Sequence, residues 1–153
     1  MAVPQLPELL QSTLKTAPLA EVLPALLAHF DCQAGTYHSA HGDLLKLEVS
    51  CHIPEPVVAL VREVPFGKGI AGLAAARLEP VSLCNLQTDT SGQARPGARA
   101  TGMEGSLAVP AVDSKGRLRG VLGIAKASAY DWTEVEKAAV QAAAHLLAER
   151  SAE

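Results

Sequence analysis

The sequence predicts an α+β fold in which a mainly antiparallel sheet is flanked by helices, and three observations predict it. Stretches with helical apolar spacing stand at both ends of the chain, over residues 5–30 and 133–150. Between them lie two pairs of alternating, extended segments, each pair joined by a short polar turn containing glycine. No strand–helix–strand crossover of parallel type separates the members of a pair, so neighbouring strands run antiparallel.

The elements follow in order. Residues 5–15 and 19–30 read as two amphipathic helices; in the second, Leu19, Val22, Leu23, Leu26, Leu27 and Phe30 recur on one face. Pro18 suits a first turn, whereas Pro24 lies inside and is expected to kink the helix. Segments 32–39 and 43–51 form a hairpin turning at His41-Gly42. That turn places Ala34 opposite Val49, Thr36 opposite Leu47 and His38 opposite Leu45, with Tyr37 facing Lys46 on the other side. The same register brings Cys32 opposite Cys51.

Residues 57–65 read as at least partly extended, and a glycine-rich turn leads into a small helix over 71–77. A short strand over 81–84 follows, then a polar loop over 85–104; a loop of this length inside a compact domain is often a lid or binding segment. Segments 106–112 and 118–126 make a second hairpin across Asp113-Ser114-Lys115-Gly116. The last helix starts with the capping box Thr133-x-x-Glu136. All of this fits one domain over 1–153, with residues 1–17 as a helical extension of a core over 18–150.

Composition narrows the functional classes. Of 153 residues 48% are hydrophobic and 19% charged, a globular balance, and only 3% are aromatic, which leaves little for base stacking. The net charge of −3, with Lys and Arg dispersed, argues against nucleic acid as a partner. Neither a signal peptide nor a membrane-length apolar run stands out, and three cysteines without CxxC spacing suit a reducing compartment. The expected location is cytoplasmic, with no membrane association.

Four stretches carry a resemblance. Val64-Pro65-Phe66-Gly67-Lys68-Gly69-Ile70-Ala71-Gly72 is followed by Glu79-Pro80-Val81-Ser82-Leu83-Cys84 and then by the long loop. Gly105-Ser106-Leu107-Ala108-Val109-Pro110-Ala111-Val112 and Arg119-Gly120-Val121-Leu122-Gly123-Ile124-Ala125 come next. In that order and spacing they resemble the GAF domain family over residues 19–147. The resemblance implies a GAF/PAS-like sheet, with the N- and C-terminal helices on one face and the small helix plus the long loop on the other. It also implies a pocket beneath that loop, which different members of the family use for cyclic nucleotides, bilins, haem or amino-acid derivatives. The function so implied is a non-catalytic, small-molecule-binding sensory or regulatory module, signalling through a partner protein or a dimer. No particular cofactor is implied.

The candidate site residues are weighed within that frame. Gly67, Gly69 and Gly72 spell GxGxxG, but without a parallel βαβ unit they read as turn and packing glycines rather than a dinucleotide site. Cys84, Asn85, Thr88, Asp89, Arg95, Arg99 and Ser106 gather at the expected pocket loop and its mouth; the two arginines bracket a turn and offer forks for a carboxylate or phosphate. Cys32 and Cys51 are a candidate redox pair. One branch of the family reduces free methionine sulfoxide with cysteines, but this chain has Ala71 at one of the expected positions and no cysteine over 85–104. Such a cysteine enzyme, or a pure interaction scaffold with a collapsed pocket, is the alternative. His29, His38, His41, His52 and His145 are scattered without metal-ligand spacing. Val135, Ala138, Ala139, Ala142 and Leu146, widened by Ala143 and Leu147, suggest a homodimer through the terminal helices.

Overall fold

The computed structural model describes residues 6–89 and 101–150. Among the described residues five helices and six strands follow in the order α1 (Glu8–Thr16), α2 (Leu19–His29), β1 (Ala34–His41), β2 (Leu44–Cys51), α3 (Glu55–Val61), β3 (Glu63–Pro65), α4 (Gly69–Arg77), β4 (Val81–Leu83), β5 (Gly105–Val112), β6 (Leu118–Lys126) and α5 (Glu134–Arg150). The strands form one sheet in the order β3-β2-β1-β6-β5-β4, antiparallel at every pairing. The expected α+β class and its arrangement of helices on the two faces are what the structure shows.

The larger core lies between the sheet and the terminal helices. Leu10 and Leu14 of α1, Val22, Leu23, Leu26 and Leu27 of α2, and Val140, Ala143, Ala144 and Leu147 of α5 pack there against Tyr37, Leu107, Val109, Leu122 and Ile124. The face of α5 that meets the sheet is thus Val140, Ala143, Ala144 and Leu147, while of the residues expected at a dimer surface Val135 is 60% exposed and Ala138, Ala139, Ala142 and Leu146 are half-buried. Helix α2 runs through Pro24, its four buried side chains holding the turns on both sides of the missing amide. The capping box of α5 closes as expected, with Glu136 N–H on Thr133 Oγ1 at 3.1 Å and Thr133 N–H on Glu136 Oε1 at 2.9 Å.

A buried cation ties these layers together. Lys126 Nζ donates to the carbonyls of Phe30 (3.0 Å) and Asp31 (2.8 Å) at the end of α2. The same ammonium stands 4.7 Å from the centre of the Tyr130 ring and 5.5 Å from that of Trp132. It thereby satisfies carbonyls that the helix terminus leaves without intrahelical donors.

The first hairpin departs from the sequence expectation. Its two-residue turn is Gly42-Asp43, one position later, with Gly42 at φ +65°; glycine at the first turn position matches strand twist without steric cost. His41 pairs with Leu44 and His38 with Leu47; a bulge between Tyr37 and His38 then puts Tyr37 opposite Val49 and Gly35 opposite Cys51. The bulge lets Tyr37 and Val49 both join the helix-side core while His38 looks the other way. Cys32 precedes β1 and does not face Cys51 in the register. Of residues 57–65, expected to be at least partly extended, only 63–65 are strand, and 57–61 belong to helix α3; Pro56 sits in its first turn, where the missing N–H has no bond to lose.

Candidate functional site

On the sheet face away from the terminal helices the strands present small side chains. The pairings put Ala34, Thr36 and His38 of β1 beside Ala125, Gly123 and Val121 of β6, and these beside Ser106, Ala108 and Pro110 of β5. The alternate positions, Tyr37, Leu107, Val109, Leu122 and Ile124, carry the large side chains and point into the helix-side core. One period-two pattern thus fills one face and leaves the other shallow. The second, smaller core, Leu45, Val64, Ala74, Ala75, Val81, Ala108 and Val121, supports α4 at one side of this floor.

Over the floor stands a roof at some distance. Val57, Leu60 and Val61 of α3, Ile70 and Ala71 of α4, Ile53, and Leu86, Thr101 and Met103 from the two ends of the long loop line with it a half-open pocket of about 280 Å³. The glycine-rich turn fixes the roof helix. Gly67 and Gly69 adopt φ of +88° and +67°, and a Cβ on Gly72 would lie 2.5 Å from the Pro65 carbonyl oxygen. The glycines therefore serve turn and close packing, as the sequence suggested. The loop ends are also pinned: Leu86 N–H reaches Glu104 O at 2.6 Å, and Gln87 Nε2 reaches Met103 O at 2.7 Å.

The wall is almost wholly apolar, with few polar groups. Thr36, His38 and Ser106 lie on the floor, Thr101 beside the loop, and Lys68, itself exposed, at the rim. His38 is 2% exposed, and its Nε2 lies 2.8 Å from the Val61 carbonyl oxygen. A carbonyl only accepts, so Nε2 carries the proton and Nδ1 is left as an acceptor. That Nδ1 is buried and has no partner. Burial holds the ring's pKa below the ordinary value of 6.5, against the opposing pull of the Val61 carbonyl and of Glu48.

Of the residues singled out from the sequence, Ser106 lies in the cavity wall, 4% exposed. Cys84, Asn85, Thr88 and Asp89 sit just beyond β4 and do not line it. Asn85 Oδ1 accepts from Gln87 N–H at 3.0 Å, shaping the loop's first turn. Cys84 is exposed, and its hydrogen bond to Asp131 pushes its thiol pKa up. Arg95 and Arg99 lie outside the described residues. Cys51 is half-buried against the helix-side core, and Cys32 is buried there with its thiol pushed up to about 11 by desolvation. None of these cysteines lines the cavity.

Sequence reasoning passed over His38 and the whole of α3. His38 carried a signal in its place among small residues in mid-strand. Val57, Leu60 and Val61 carried one in their helical spacing after Pro56. A second polar set, Ser39, His41 and Glu48, offers triad residue types on the far surface, but Ser39 Oγ donates to Glu48 Oε2 at 2.6 Å while His41 Nε2 stands 2.9 Å from that same oxygen of Ser39. The serine is thus bound to the carboxylate directly, which is the wrong order for a base-activated nucleophile. Among the described residues no cluster of His, Cys, Asp or Glu could hold a metal ion, and no helix is long and apolar enough to cross a membrane.

Comparison with known proteins agrees with the architecture. A family model described as GAF domain matches residues 16–149. No curated protein matches the chain. Among solved structures, a proposed GAF sensor protein from Burkholderia vietnamiensis is similar with a TM-score of 0.75 at 18% identity, over 94% of this chain and 89% of that one. The free methionine-R-sulfoxide reductase of Neisseria meningitidis, solved with its substrate, has a TM-score of 0.75 at 20% identity, over 92% of this chain and 83% of that one. The GAF domain of a phosphoenolpyruvate-protein phosphotransferase from Coxiella burnetii has a TM-score of 0.68 at 24% identity, over 91% and 80% of the two chains. At such identities the likeness is one of fold.

Proposed function

Because the chain belongs to the GAF domain family, we propose that it is a small-molecule-binding sensory and regulatory module whose ligand occupies the cavity between the sheet and the long loop. The observation that carries this reading is the pocket's construction: a floor mainly of Ala, Gly, Ser and Thr, with His38, under a roof of larger apolar side chains, leaving about 280 Å³ between them. A collapsed scaffold would fill that space with Leu or Val from the same strands. A concave, mainly apolar pocket with a few polar groups is the usual form of a ligand site.

The cysteine-enzyme alternative draws less support. The similar reductases give it a place in the comparisons, but Cys32, Cys51 and Cys84 stand away from the cavity wall. Desolvation at Cys32 and the Asp131 hydrogen bond at Cys84 both hold the thiol in its unreactive, protonated form. A binding module needs none of the three. In the same proposal the protein is cytoplasmic and passes its signal to a protein partner or across a homodimer, for which the exposed Leu9 and Val135 on the terminal helices are the first surface to test.

The test is a native mass spectrum of freshly purified protein together with a thermal-unfolding screen against small metabolites of varied charge. A ligand at a hundred times its Kd stabilises by about 2.7 kcal/mol, which for this size moves the midpoint by roughly 5–10 °C. Such a shift, or a bound mass that leaves on denaturation, is the expected result. Reduction of a sulfoxide that disappears on Cys→Ser replacement would replace this reading with the enzymatic one.

A further inference from the structure

Resting on the reading of the pocket as a ligand site, we infer that it is a slot for a flat, conjugated ring system laid face-down on the two central strands, and that Gly123 is the residue that keeps the slot open to it. The shape of the floor, its exposure and the depth above it each point to this.

The floor is a shelf of small side chains. Ala34, Ala125 and Ser106 form one row across β1, β6 and β5, and Thr36, Gly123 and Ala108 form the next. Two strand spacings by two residues along the chain give a surface of about 10 Å by 7 Å. No side chain on it is larger than threonine. β1 and β6 are the middle pair of the six strands, yet Thr36, Gly123 and Ala125 are only half-buried there. The middle of a sheet with helices on both faces is ordinarily covered; over these two rows the roof stands clear.

The depth of the gap matches one layer of atoms. A Cβ built on Gly123 would meet Thr36 Oγ1 at 3.0 Å and Thr36 O at 4.0 Å, and no atom of α3 or α4 comes within 4 Å of it. Spread over a shelf of about 70 Å², the volume of about 280 Å³ is on average about 4 Å deep. Carbon atoms in contact are about 3.5–4.0 Å apart, so a planar ring fits between floor and roof. A saturated ring, with hydrogens standing off both faces, is too thick for the same gap. Val57, Leu60 and Ile70 supply the underside of the roof, aliphatic groups that pack against a ring face by dispersion. Gly123 lies in the middle of its row, where a methyl group would rise into the slot and take up the space that the ring needs.

The experiment compares two compounds on the full chain by isothermal titration: 2-naphthol, which is flat, and decahydro-2-naphthol, which has the same skeleton and hydroxyl but is puckered. The flat compound is expected to bind about tenfold more tightly, the factor that extra bulk costs in a closely fitting space. In Gly123→Ala the flat ring loses its seat, and the preference should shrink to less than about threefold. With 2-naphthol bound, the methyl proton signals of Ala34, Ala108 and Ala125 should move upfield, as protons beneath the face of an aromatic ring do; protons beside its edge move downfield. If Gly123→Ala does not fold, the affinity ratio and the methyl shifts of the unaltered chain decide. Equal affinities, tighter binding of the puckered compound, a preference that survives in Gly123→Ala, or downfield methyl shifts would each overturn the inference and leave the ligand site in place. If neither compound binds, the inference fails; a hit in the metabolite screen then leaves the binding-module reading standing, and no hit in either set overturns both.

Discussion

At His38 a strand residue, a helix carbonyl and a cavity meet in one side chain. Its ring is neutral because burial removes the water that would stabilise the charged form, and the Val61 carbonyl only partly offsets that loss. The unfolded chain takes up a proton near pH 6.5, and the folded one at a lower pH. Stability should therefore fall as pH drops below about 6.5 toward the depressed folded value, and this residue should add no pH dependence above that window. Urea unfolding at pH 7.5 and 5.5 should show the loss in the unaltered chain and a flatter response in His38→Gln. Its place among small residues in mid-strand marks His38, but its partner is not legible locally, because Val61 lies 23 residues on, in a segment expected to be at least partly extended. Ser106 was easier to find, because the hairpin pattern places it at the mouth of the long loop.

Helices and strands show where local rules suffice and where packing overrides them. The second hairpin and α5 follow from turn chemistry and a capping box, both of which act over four or five residues. The first hairpin does not, because its bulge answers to the fit of Tyr37 and Val49 against α2, which no local pattern encodes. Two substitutions test the contacts that seat the elements. Gly72→Ala drives a methyl toward the Pro65 carbonyl, 2.5 Å away, and should cost about 1–3 kcal/mol in denaturant unfolding. Lys126→Met keeps the stem inside the Tyr130–Trp132 cage but leaves the Phe30 and Asp31 carbonyls without their donor. It should cost roughly 1.5–3 kcal/mol, read by the same measurement.

Over the whole molecule the sheet serves two faces with one alternation: large side chains under the terminal helices and small ones under α3, α4 and the loop. The fold class and the strand order within each hairpin were legible because alternation and turns are sequence-local, and the side on which the pocket lies came from the family resemblance. The cavity's depth was not legible, since it depends on how far α3 and the loop ends stand off the floor. Ala125→Leu should place a larger side chain in that space; the midpoint of unfolding should stay the same or rise, and any ligand-induced shift should disappear in the thermal screen.

The margins of the sheet carry a consequence for how copies of the protein behave at high concentration. β3 and β4, the outermost strands, are three residues each, about 10 Å of backbone. Where they stop, the neighbouring strands are unsuited to extension: β2 carries the bulge opposite Tyr37 and His38, and β5 carries Pro110, which has no amide hydrogen. Fibre-like polymerisation, in which one molecule templates the next through exposed main-chain amides, is thus obstructed on both flanks, and molecules that meet are left to associate through side chains.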